Sequence, residues 1–211
     1  MNAPMMLRRS SLVAILAFSA ACREVAAPPM QPEVAVSLPS PAGIHVLRQA
    51  PGAPALETYQ VSFWACDGEA SSVTVNYLPV AGQAVGQPFL RFSVPKNSMA
   101  TDPNGKRLRR GDSVLITLTI DPVTFAVDFQ PSGVWFSNGV PAQLTFWYEN
   151  ADPDFNADGV VDATDAQLAQ QIAVWGRAGG RRWTALPSTV DPTLPSVSTS
   201  VQHFSEYAVS W

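Results

Sequence analysis

The sequence predicts an all-β fold, an antiparallel β-sandwich of short strands with one short helix or turn after an acidic loop. Three observations carry this. From Thr58 onward, β-branched and aromatic runs alternate with turn residues, the pattern of strands separated by tight connections. The 19 prolines and 13 glycines are too many for long helices. An apolar content of 46% is enough to fill a core, and two cysteines are too few for a disulfide scaffold.

Strands are expected near 58–65, 71–78, 88–94, 112–120, 123–129, 133–136, 141–148, 170–175, 181–186, 197–203 and 205–210. Period-two alternation is clearest at Val114, Ile116, Leu118 and Ile120, which share one face. Phe125, Val127 and Phe129 repeat the pattern. Asp102-Pro103-Asn104-Gly105 is a turn, because proline fixes φ and Asn-Gly accepts positive φ.

The N-terminus reads as an export address. Arg8 and Arg9 precede an apolar run of about ten residues, well short of the ~20 that span a bilayer. Ser19-Ala20-Ala21-Cys22 resembles the lipobox of bacterial lipoproteins, which implies cleavage before Cys22 and its lipidation. An ordinary secretory signal with a chance cysteine is the alternative. The expected organisation is a signal peptide over 1–21, a lipid anchor and tether over 22–56, and a sandwich over 57–211. Seven prolines at 28, 29, 32, 39, 41, 51 and 54 give the tether polyproline character, although Ile44-His45-Val46-Leu47 has the texture of a short edge strand. Arg23, in place of the Asp that retains lipoproteins in the inner membrane, favours the outer membrane of a bacterial envelope. Cys66, beside Trp64 and Ala65, is expected to be a buried apolar thiol.

An acidic segment carries the most specific chemistry. Asp154, Asn156, Asp158, Val160, Asp162 and Asp165 occupy oxygen-donor positions of a calcium loop, inserted in the domain over 152–166, with Gly159 at its sharp turn. Val160 would donate its backbone carbonyl, and Val161 is expected to point inward. Aspartate rather than glutamate at the last position resembles dockerin and thrombospondin type-three loops. A dockerin would need a second loop, and none is visible. Six acidic residues and no basic one lie between Glu149 and Asp165, so their mutual repulsion calls for a cation. The expected cofactor is a single structural Ca2+. The alternative is neutralisation by Arg177, Arg181 or Arg182.

Other motifs read as structural. Arg110-Gly111-Asp112 spells the integrin tripeptide, yet it sits where a turn opens a strand. Lys106 to Arg110 is a basic hairpin tip. His203 is expected to be hydrogen-bonded at a strand end. There is no nucleophile elbow, zinc motif or phosphate loop. A net charge of −4 argues against a nucleic-acid partner.

Phe92-Ser93-Val94-Pro95 with Ser98-Met99, then Asp112 to Thr117, Phe129-Gln130-Pro131-Ser132-Gly133-Val134-Trp135-Phe136 and Pro141-Ala142-Gln143-Leu144-Thr145 together resemble the ZU-five domain. Arg182 to Pro187 and His203 to Ala208 resemble the closing strands of bacterial lipoproteins of that type. The resemblance covers about 88–211 and implies an interaction or scaffolding sandwich without catalytic machinery. The expected function is therefore a non-catalytic, lipid-anchored envelope protein, bound to the membrane through Cys22 and to a protein or glycan partner. A carbohydrate-binding module is the alternative. Burial of Trp64, Trp135, Trp147, Trp175 and Trp183 would count against it, because a sugar platform needs exposed aromatics.

Overall fold

The computed structural model describes residues 43–211. The signal segment, Cys22 and most of the tether lie outside them. In chain order the elements are β1 (Gln60–Cys66), β2 (Ser71–Asn76), β3 (Pro88–Val94), β4 (Met99–Thr101), β5 (Ser113–Ile120), β6 (Ala126–Gln130) and β7 (Trp135–Phe136). There follow β8 (Ala142–Trp147), the single described helix α1 (Ala163–Ala169), β9 (Ala173–Arg177), β10 (Thr184–Ala185), β11 (Ser188–Asp191), β12 (Ser196–Val201) and β13 (Glu206–Ser210).

These strands form an antiparallel sandwich. One sheet has the order β1-β5-β6-β13-β9-β10 and the other β11-β12-β8-β3-β2, with β4 and β7 paired separately. The two main sheets bury their facing side chains in one core. Val114, Ile116, Leu118 and Ile120 all point into it from β5, while Leu115 remains exposed. A strict period of two is what places them there. Phe89, Phe92, Phe129, Phe146 and Phe204 fill the space between the sheets, with Phe92 and Phe129 centred 4.7 Å apart. Burying one such side chain contributes about 1.5–3 kcal/mol. Cys66 is buried at the end of β1, as an apolar thiol should be.

The structure refines the expected elements at their polar ends. The run expected at 170–175 is β9, which begins three residues later and ends two residues later, after α1 and its following turn. β4 and β11 were not expected. Each is short, and β11 is an edge strand of mostly exposed residues without a core stripe. The segment from Ile44 to Leu56, read as tether from its prolines, is packed on the sandwich. Leu47 and Leu56 are buried, and Val46, Arg48, Gln49 and Leu56 bridge to Ser210, Thr124, Ala151 and Tyr77. The proline-free stretch 44–50 can exchange backbone hydrogen bonds, and it does: the Leu47 N–H donates to the Val209 carbonyl at 2.9 Å.

The chain crosses from β12 in one sheet to β13 in the other through Gln202–Ser205, and the Tyr207 hydroxyl pins this corner by donating to the His203 carbonyl. Burial raises the pKa of Tyr207 well above its ordinary value, so the phenol stays a neutral donor. Among the described residues no helix is long and apolar enough to cross a membrane.

Candidate functional site

The acidic segment between β8 and β9 folds as a loop closed upon itself. Both Asp154 carboxylate oxygens accept backbone N–H groups, from Asp158 at 3.1 Å and Gly159 at 2.8 Å. Asp158 accepts from the Val160 N–H at 2.8 Å and from the Asn156 amide at 2.8 Å. The Asn156 amide oxygen accepts from the Asp158 N–H at 3.0 Å. Gly159, with φ of +88°, makes the reversal that a residue with a Cβ rarely adopts.

Asp165 closes the ring. Its Oδ1 accepts from the N–H groups of Phe155 and Asn156, and its Oδ2 from that of Asp162 at 2.8 Å. These backbone donors, Asp162 first among them, hold its carboxyl below the usual carboxylate value, although its 2% exposure opposes the charge. Asp162 and Asp165 also form a reciprocal capping box on α1, with Asp162 accepting from the Thr164 N–H at 2.7 Å. Two residues expected as ligands therefore begin the helix as well. The expected helix or turn after the loop is α1.

Among the described residues no three carboxylate, imidazole or thiol groups are gathered closely enough to form a metal cluster. The donors expected here include a neutral amide oxygen at Asn156 and a backbone carbonyl at Val160. An ionised carboxylate offers about four lone-pair sites, and Asp154 and Asp158 each accept only two hydrogen bonds. The loop thus keeps unused oxygen capacity suited to a hard cation. Val161, expected to point inward, is 62% exposed. Phe155 instead anchors the loop, edge-on to Trp211 at 5.4 Å.

Arginine neutralisation is not realised. Arg177 reaches Glu206 on β13 and lies 4.9 Å from the Trp183 ring centre. Among the described residues Arg181 and Arg182 form no ion pair, with the loop or elsewhere.

The other motifs resolve locally. Asp112 of the Arg-Gly-Asp tripeptide accepts from the Arg109 N–H at 2.9 Å, which closes the turn before β5. His203 lies beside the Phe204 carbonyl and packs against Trp135 at 4.8 Å. Of the five tryptophans expected in strands, Trp183 is buried, but Trp64 and Trp135 are 59% and 52% exposed. The aromatic burial that would count against a sugar platform is incomplete.

Sequence reasoning missed a cleft of about 250 Å³ at the seam between the β9–β10 hairpin and the β12–β13 crossing. Arg181, Arg182, Thr184, Ser200, His203 and Tyr207 line it. Arg181 and Arg182 follow Gly179 and Gly180, whose φ values of +56° and +73° turn the hairpin back over the opening. The Ser200 hydroxyl accepts from the Gln143 amide at 3.1 Å. The lining supplies cations and hydroxyls but no carboxylate. The sequence signal was the Gly-Gly-Arg-Arg tetrad, whose destination depends on the pairing of distant strands.

No family model matches the chain, and no curated protein or solved structure matches it.

Proposed function

We propose that this chain is a non-catalytic binding or scaffolding module of the bacterial cell envelope, lipid-anchored through Cys22 and stabilised by one calcium ion in the 154–165 loop. The observation that carries the calcium reading is the loop's own bonding. Its carboxylates accept the loop's own backbone N–H groups and, among the described residues, pair with no arginine. Such dipoles are partial charges, and a divalent cation would remove the remaining repulsion. Asp154, Asn156, Asp158, Val160, Asp162 and Asp165 would hold it. The ion's part would be structural, tying the loop and α1 to the sandwich.

The envelope address rests on the Arg8-Arg9, Leu12–Phe18 and Ser19–Cys22 pattern, with the outer membrane favoured by Arg23. Likeness to the ZU-five pattern across 88–211 supports an interaction role. A second reading, carbohydrate binding, is favoured by the exposure of Trp64 and Trp135.

Calorimetric titration of the purified protein tests the metal reading. Millimolar calcium should give a binding heat and raise the melting temperature, and chelator should reverse the rise. No heat together with no chelator effect would end it. For the anchor, Cys22→Ser should abolish palmitate labelling, and unchanged detergent partitioning of that variant would overturn lipidation.

A further inference from the structure

We propose that the cleft between the β9–β10 hairpin and the β12–β13 crossing binds a carboxylated saccharide, with a uronate held by Arg181 and Arg182 and a sugar ring laid against Trp135. The inference rests on the reading of the sandwich as a binding module, but not on the calcium loop or the anchor.

Charge argues first. In a chain of net charge −4, two adjacent arginines stand over a concavity with no carboxylate in its lining and no ion pair among the described residues. The nearest acid on β13, Glu206, is already engaged by Arg177. An incoming carboxylate would meet two guanidinium forks and no like charge, and the planar fork matches a carboxylate through two parallel hydrogen bonds.

Shape and polarity narrow the class. A volume of about 250 Å³ lies just below the usual range of ligand sites and suits one or two sugar rings. Thr184 and Ser200 offer hydroxyl partners, while Leu186 and the Tyr207 ring make an apolar wall. Trp135, packed against the cleft residue His203, leaves half its surface in solvent. Sugars present apolar C–H faces beside hydroxyls, so they would use both kinds of surface. A bare phosphate would use the arginines alone.

Titration calorimetry of the purified full chain tests this with tetragalacturonate, its methyl ester, a neutral dextran oligomer and inorganic phosphate, without added calcium. Only tetragalacturonate should bind well, and rising salt should weaken it. The Arg181→Ala/Arg182→Ala double variant should lose at least about tenfold in affinity, the loss expected for charge-assisted hydrogen bonds. Trp135→Ala should weaken the oligomer and leave residual phosphate binding unchanged. All these side chains are exposed, so melting temperatures should confirm folded variants. Asp158→Ala should bind tetragalacturonate like the parent. The proposal fails if the ester or phosphate binds as tightly as the uronate, or if the double variant binds normally. It fails alone if tetragalacturonate does not bind while calcium still raises the melt. Uronate binding without any calcium response would sink only the metal reading.

Discussion

The acidic loop and the arginine cleft are opposite in charge and opposite in construction. The side-chain hydrogen bonds that shape the loop join residues within the span 152–165, the widest in sequence linking Phe155 to Asp165. The cleft draws on a hairpin at 176–186 and a crossing at 200–207, with Trp135 beside them. It exists only because β13 pairs with β9 while β12 belongs to the other sheet. The contrast teaches that chemistry built from neighbours in sequence can be read as spacing. Chemistry built from strand pairing cannot.

Both regions are mounted on one core, so the harshest test removes that core. Ile116→Asp or Leu118→Asp would place an unpaired charge where exposure is zero, at a cost of several kcal/mol against a total stability of about 5–15 kcal/mol. Circular dichroism should show the cooperative melt lost, together with calcium and saccharide binding. A variant that still melts cooperatively would show that β5 tolerates the opposite phase. Next in size, Asp158→Ala should remove most of the calcium response, which is about 2.7 kcal/mol when free ion stands at a hundred times Kd. The apo melt should change much less, since the loop lies outside the core. Glu69→Ala, an exposed acid away from the loop, is the control.

A smaller effect separates the arginines from one another. Arg177→Ala breaks the partly exposed pair with Glu206 and the contact with Trp183, and should lower stability by about 1 kcal/mol. Arg181→Ala and Arg182→Ala should lie within about 0.5 kcal/mol of the parent. Thermal melts of the three decide it, and equal losses would erase the distinction between a structural and an available arginine. Smallest near neutrality is the effect of pH. The pKa of Asp165 is lowered on folding, so its contribution is complete above the ordinary carboxylate value. It is lost as pH falls through the lower folded value. Melts of the apo protein from about pH 5 down to about pH 2.5 should show this decline, and Asp165→Asn should flatten it.

Legibility followed the same division. Strands with a strict apolar stripe, such as β5 and β8, lie where alternation predicts them, because one buried face fixes their phase. β4 and β11 carry no such stripe, and their pairing is imposed by neighbours. Proline density hid that Leu56 reaches the core past Pro51 and Pro54, whereas the edge-strand texture of 44–47 has its counterpart in the bridge from Val46 to Ser210. Within the loop, the order of oxygen donors was visible but the exposure of Val161 was not. That depends on whether anything packs above it. Arg181 and Arg182 were legible only as charges, since nothing local ties them to His203.

The position of β13 has a consequence for how the domain comes together. Residues 206–210 form the seam strand between β6 and β9, so before they arrive the larger sheet is two pieces, β1-β5-β6 and β9-β10. Each piece would expose one open ladder of N–H and C=O groups, the surface that recruits stray strands. The partners of β13 stand roughly eighty and thirty residues earlier in the chain, so loop closure makes the joining step slow. A folding chain would thus keep the larger sheet in two vulnerable pieces until β13 is delivered. A truncation removing residues 206–211 should produce aggregation rather than a slightly trimmed domain.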